Sequence, residues 1–155
     1  MEIHQMNTIQ TSETSNTTQV NKLVYTAKAH TTGGRDGGAS LSSDGRLAVK
    51  LSIPGGPGTG TNPEQLFAAG WSACFLSGMK LAARKMKVKV PEDVAIDAEV
   101  DLCFNGESHF LKARLSVSLP GIEREVAQAL VDASDKTCPY SKATRGNIDV
   151  VISLI

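Results

Sequence analysis

Residues 65–79 contain no charged side chain, and Asn62-Pro63-Glu64-Gln65 opens that stretch with the signature of a helix start. Asn is a favoured N-cap because its side-chain oxygen accepts from an otherwise unpaired backbone N–H. Pro suits the first helical position, and Gln falls three residues after the cap. The predicted helix runs to about Lys87, with Lys80, Arg84, Lys85 and Lys87 gathered at its end, where they complement the negative pole of the helix dipole. Its first two thirds are apolar on all sides, so its first half must be surrounded by protein. The uncharged stretch holds Gly, Ser and Gln and is shorter than the roughly 20 predominantly apolar residues of a membrane span. It reads as a core helix.

The other elements follow from periodicity. Residues 22–30 alternate weakly and read as a strand, and residues 31–38 form a Gly-rich turn carrying Arg35 and Asp36. Two short strands flank Ser43-Asp44-Gly45, and a Gly- and Pro-dense loop spans residues 54–61. From 94 to 119 the pattern is β. Ile96, Ala98, Val100, Leu102 and Phe104 share one face, Asn105-Gly106 turns the chain, and Leu111, Ala113, Leu115, Val117 and Leu119 share a face of the return strand. A second amphipathic helix has Ile122, Val126, Ala129, Leu130 and Ala133 on its predicted buried stripe, and residues 147–155 close the chain as a strand. Strands grouped before and after helices favour an α+β fold over a doubly wound sheet.

Composition excludes several functions. Sixteen basic and sixteen acidic side chains cancel, so no net charge steers this 155-residue chain toward nucleic acid or an anionic membrane. Gly55 and Gly60 have phosphate-loop spacing, but Thr61 and Asn62 stand where Lys and Ser/Thr are required, which rules out nucleotide binding. Residues 1–21, rich in Thr, Ser, Asn and Gln, lack the apolar core of a secretory signal and read as a flexible tail on a single domain, 22–155, of a cytoplasmic protein. Three cysteines, an odd number, argue for reduced thiols used transiently rather than a disulfide framework. No Cys-x-x-Cys occurs, and His4, His30 and His109 stand apart from the cysteines, so neither a metal nor another cofactor is expected.

The thiols differ in context. Cys74 lies inside the uncharged helix, Cys138 opens Cys-Pro-Tyr-Ser on a turn, and Cys103 shares a strand face with Asp97, Glu99 and Asp101 and reads as a bystander. Taken singly, Cys74 is a small buried hydrophobe, Arg35 a solvated loop residue and Glu64 a carboxylate at a helix N-terminus. Taken together, Thr-Gly-Gly-Arg-Asp-Gly (32–37), Thr-Asn-Pro-Glu-Gln-Leu-Phe-Ala-Ala-Gly-Trp-Ser-Ala-Cys-Phe (61–75) and Cys-Pro-Tyr-Ser-Lys-Ala-Thr-Arg-Gly-Asn (138–147) closely resemble the organic hydroperoxide resistance proteins, the thiol peroxidase branch of the Ohr/OsmC family. The resemblance covers residues 24–155. It implies an OsmC-like fold: antiparallel sheets, two main helices, and the long central helix buried at an intertwined dimer interface. It also implies that Cys74 attacks the peroxide, Cys138 resolves it, Arg35 assists the thiolate and Glu64 holds the arginine. Trp71 stands where a tyrosine is common in the family, and Cys103 looks like an addition.

These roles agree with the chemistry. An apolar setting raises a thiol pKa, so a cation must sit beside the thiolate, and a bidentate carboxylate would fix that cation. Glu64 and Cys74 are ten residues apart, about 15 Å along one helix, too far for both to touch one arginine. If both line one site they come from different subunits, with two antiparallel copies of the helix crossing near Ala68-Ala69-Gly70 in a homodimer. Phe67, Trp71, Phe75 and Met79 surround Cys74 in sequence and predict an apolar pocket that favours alkyl, aryl and fatty-acid hydroperoxides over hydrogen peroxide. The resemblance implies a dithiol reductant, a dihydrolipoyl group of a lipoylated protein. The alternative is an OsmC-type stress or redox-sensing protein with slow turnover, which steady-state peroxide consumption distinguishes.

Overall fold

The computed structural model describes residues 21–155; the expected tail, 1–21, lies outside the described residues apart from Asn21. Glycine-rich turns cut the first third into short strands, β1 (Ala29–Thr32), β2 (Ala39–Ser42) and β3 (Ala48–Lys50), which form an antiparallel meander in that order. Gly33, Gly34 and Gly37 take φ of 65°, 55° and 73° around Arg35, a left-handed run that side chains resist. The strand expected over 22–30 begins only at Ala29. Residues 22–28 have no ladder, and Leu23, Val24 and Tyr25 are exposed. Of the meander strands only Ser40 is buried.

Asn62 caps α1 (Pro63–Met86) as expected, its side chain accepting from Gln65 N at 2.9 Å, while Gln65 accepts in turn from the Thr61 hydroxyl at 2.7 Å. The helix ends at Lys87, whose φ of 57° is left-handed and lets Val88 N reach Ala83 O at 2.9 Å. By length and composition α1 could cross a bilayer, yet Trp71, Phe75, Met79, Ala82 and Ala83 face the protein interior. The expectation that protein surrounds its first half is met on one face only. Gln65, Ala69, Ala73, Ser77 and Leu81, four residues apart, form an exposed stripe, because sheet and second helix occupy only one side of a single copy.

The hairpin expected next is present as β4 (Ala95–Phe104) and β5 (His109–Ser118), with Ile96 opposite Val117, Ala98 opposite Leu115 and Val100 opposite Ala113. Apolar side chains thus meet directly across the ladder. Asn105 Oδ1 accepts from the N–H groups of Glu107 and Ser108 and sets the turn. Then come α2 (Arg124–Thr137), the short α3 (Pro139–Thr144) and β6 (Asp149–Leu154). β6 pairs with β5 in parallel, Ile152 opposite Leu115, so the second sheet is mixed where antiparallel sheets were expected. The helical return from β5 brings the chain back in β5's own direction, which a tight turn cannot do.

The buried stripe of α2 is Ala127, Leu130, Val131 and Ser134, whereas Ala129, expected inside, is exposed. A hydropathy pattern does not count Ser134 as a core residue, but its hydroxyl donates to Phe75 O at 2.7 Å and so lies fully buried. One face of the second sheet and helices α1 and α2 enclose a core of Trp71, Phe75, Met79, Leu115, Val117 and Leu130. Each large side chain fully buried there contributes about 1.5–3 kcal/mol. The other face carries Arg114 between Glu99 and Asp101, Lys112 beside Asp149, and Cys103.

Candidate active site

Cys74 sits mid-helix on α1, partly exposed. Cys138 is fully buried at the elbow where α2 ends and α3 begins. The fold carries these thiols, 64 residues apart in sequence, to an Sγ–Sγ distance of 3.4 Å, with Cys138 donating to Cys74. A disulfide needs about 2.05 Å, so closing the bond requires a movement of roughly 1.4 Å.

The elbow is built on α1. Gly78 leaves room for α2: a Cβ there would stand 3.1 Å from Ser134 Oγ and 3.6 Å from Thr137 Oγ1. On the α3 side, Trp71 Nε1 donates to Ser141 Oγ at 3.3 Å, and both residues are buried. Tyr140 lies in the notch left by Gly70, where a Cβ would come within 2.8 Å of the phenol oxygen, and its ring lies 5.9 Å from that of Phe67. Phe67 in turn meets Trp71 edge-on at 5.5 Å. Gly78 and Ser134 went unnoticed in the sequence, and Tyr140 and Ser141 were read only as part of the Cys-Pro-Tyr-Ser motif. Pro139, favoured at a first helical position, was the signal that Cys-Pro-Tyr-Ser begins a helix.

The second pair of predicted residues also meets. Arg35 Nη2 donates to Glu64 Oε1 at 3.0 Å, with Glu64 mostly buried. The contact is single, where a bidentate pair was expected, and Glu64 Oε2 is buried with no partner. A buried carboxylate oxygen without a donor is costly.

The two pairs stand apart. Glu64 and Cys74 lie on the same helix, ten residues from each other, so about 15 Å of rise separates them. Burial pushes the Cys74 thiol up from its ordinary value, and the hydrogen bond with Cys138 adds to the effect. The backbone N–H of Tyr140 acts the other way, and on balance the thiol form is favoured. Of the residues expected to line a pocket only Phe67 is half-buried; Trp71, Phe75 and Met79, at 1%, 0% and 0% exposure, belong to the core instead, because that face of α1 packs against the second sheet and α2. A cleft of about 480 Å³ beside the ion pair is lined by Glu64, Ala68, Ala98, Val100 and Leu102. Cys103 is on the opposite face of the sheet from the helices. Among the described residues no cluster of three metal-ligating side chains occurs.

Residues 56–153 match the model of the OsmC-like protein family. The chain is 47% identical over 137 residues to an organic hydroperoxide resistance protein of Xanthomonas axonopodis pv. citri, covering 86% of this chain and 96% of that one. It is 39% identical over 136 residues to the organic hydroperoxide resistance protein OhrA of Bacillus subtilis, covering 84% and 96% respectively. Among solved structures, an organic hydroperoxide resistance protein of Legionella pneumophila superposes with a TM-score of 0.79 at 41% identity, over 86% of this chain and 98% of the other.

Proposed function

This chain belongs to the OsmC-like family, among relatives named organic hydroperoxide resistance proteins, and we propose that it is itself a thiol-dependent peroxidase that reduces organic hydroperoxides to alcohols and protects the cytoplasm against them. The observation that carries this reading is the 3.4 Å separation of Cys74 and Cys138 sulfurs. Two thiols that close, one at a helix surface and one in the core beside it, suit a cycle of oxidation and capture.

The Cys74 thiolate attacks the outer oxygen of the hydroperoxide. The O–O bond breaks, the alkoxide takes a proton and leaves as alcohol, and Cys74 becomes a sulfenic acid. The Cys138 thiolate then attacks the Cys74 sulfur, the S–O bond breaks, and hydroxide takes a proton and leaves as water. The resulting disulfide is reduced by exchange with an external dithiol, which ends as its own cyclic disulfide. A dihydrolipoyl group suits this last step, since the second thiol is already held next to the first.

The cation comes from a second copy. A homodimer with two antiparallel α1 helices crossing near Ala69 brings Arg35 and Glu64 of one chain to Cys74 of the other, and lowers the thiol pKa that burial raises. Three features support the pairing. The α1 stripe of Ala69, Ala73 and Ser77 is small and exposed, the β1–β2–β3 meander buries almost nothing in one copy, and Leu23, Val24 and Tyr25 have no cover. A three-stranded sheet without a buried face is not stable by itself. The half-buried Phe67 supplies apolar surface for a hydrocarbon tail, worth about 25 cal/mol per Å² buried. Such a site favours alkyl, aryl and fatty-acid hydroperoxides over hydrogen peroxide.

The test is mass spectrometry of the reduced protein after one equivalent of cumene hydroperoxide. The reading expects a Cys74–Cys138 bond with Cys103 free; a protein left as three thiols, or one linked through Cys103, refutes it.

A further inference from the structure

We propose that Ser134 and Ser141 are positioning residues that hold the resolving thiol of Cys138 against Cys74, one from each side of the elbow. The inference rests on the peroxidase reading above and assigns these two hydroxyls a part in its second step.

Cys138 belongs to no helix interior. It is the C-cap of α2 and the N-cap of α3 at once, with φ −60° and ψ 123°, and its side chain makes no capping bond. A residue at such a joint moves whenever either helix swings. Four residues before it, Ser134 Oγ donates to the backbone oxygen of Phe75, the residue next to Cys74, at 2.7 Å. Three residues after it, Ser141 Oγ accepts from the indole N–H of Trp71, one turn before Cys74, at 3.3 Å. Both hydroxyls are buried, at 0% and 2% exposure, in a core that is otherwise mostly apolar. A serine in such a place contributes little to hydrophobic burial, and its use is directional. The two bonds tie both flanks of the elbow to the stretch of α1 that bears the reactive sulfur, and the Tyr140–Gly70 notch sets the depth at which α3 lies.

The consequence is kinetic and redox-specific. Holding the two sulfurs 3.4 Å apart in the reduced state raises the effective concentration of Cys138 at the sulfenic acid, so capture outruns a second peroxide. Loosening either flank lets the thiols separate. The disulfide then forms more slowly and is less favoured at equilibrium, while the first attack on peroxide, which forms no bond to Cys138, does not slow with it.

The experiment uses Ser134→Ala, Ser141→Ala and the double variant in the full chain. First, the sulfenic acid formed by one equivalent of cumene hydroperoxide is followed by quenched mass spectrometry. Each single variant should form the disulfide about fivefold to tenfold more slowly, as loss of one net hydrogen bond dictates. With excess peroxide, Cys74 sulfinic acid should accumulate in the same proportion. Second, the disulfide is equilibrated against glutathione. A tenfold smaller effective concentration raises its reduction potential by about 30 mV. Trp71, the only tryptophan of the chain, offers a fluorescence signal for the same closure in the serine variants. Trp71→Phe, which removes the N–H donor from the other side, guards against a poorly folded Ser141→Ala: it should slow capture, and adding it to Ser141→Ala should cost nothing more. Wild-type capture rate and potential in variants that melt within a few degrees of the parent would overturn the assignment. If the parent forms no Cys74–Cys138 bond at all, the peroxidase reading falls and takes this inference with it.

Discussion

At neutral pH Arg35→Met should cripple peroxide reduction and Cys74→Ser abolish it, yet a mixture of the two should recover it. In one copy Arg35 is bound to Glu64 at 3.0 Å, and ten residues of α1 lie between Glu64 and Cys74, an axial separation of about 15 Å. A guanidinium tethered at the first position is far from a sulfur at the second, so the proposed site draws its cation and its thiol from different chains. In a heterodimer of the two variants one site then carries both defects and the other carries none. Random assortment at equal amounts makes about half the dimers mixed, each with one working site of two, so the mixture should show about a quarter of parental activity per chain. The assay is initial-rate consumption of cumene hydroperoxide with dithiothreitol, on differently tagged variants co-expressed so that chains exchange freely, with mixed dimers counted by native mass spectrometry. Sites formed within one chain would contain at least one defect in every dimer. Zero recovery with mixed dimers present would refute the composite site, and so would undiminished activity of Arg35→Met alone.

The pH dependence of that arginine variant has a definite sign. Burial raises the Cys74 pKa and only the thiolate reacts, so the rate of Arg35→Met should climb as pH rises through the raised value, with a midpoint above the parent's; coincident profiles would contradict the cation's role. Cys138→Ser should still consume one equivalent of peroxide but stall as a trappable sulfenic acid, as detected by dimedone labelling. Leu115 is fully buried between strand and helices, so Leu115→Ala should cost about 2–5 kcal/mol in denaturant unfolding. Lys87 holds a left-handed φ of 57° at the end of α1, and Lys87→Gly should stabilise the fold by about 1 kcal/mol, read as a higher melting temperature.

Much of this molecule is local in origin, and those parts were legible. The cap at Asn62, the length of α1 and the β4–β5 hairpin with its Asn105-Gly106 turn follow from neighbours in sequence, and three short motifs singled out the cysteines, arginine and glutamate that the fold brings together in two pairs. Features that depended on distant contacts were misread. Ala129 was placed inside α2 because hydropathy ignores a serine that bonds a carbonyl of another helix. The helix after Cys138 was missed because six residues carry no readable period. The parallel pairing of β6 was hidden because strand direction depends on the path of the chain between strands, not on the strand's own residues.

By itself the order of amino acids determined most of the helices and strands and which side chains carry the thiol, guanidinium and carboxylate groups. Whether two of those side chains are neighbours was decided only in three dimensions: Cys138 approaches Cys74 to 3.4 Å because α2 and α3 dock on α1, whereas Arg35 is bound at Glu64, ten residues along α1 from Cys74. The physical reason is range. Propensity, capping and alternation act over a few residues, but a reactive site is a set of distances between groups far apart along the chain, and only packing sets those.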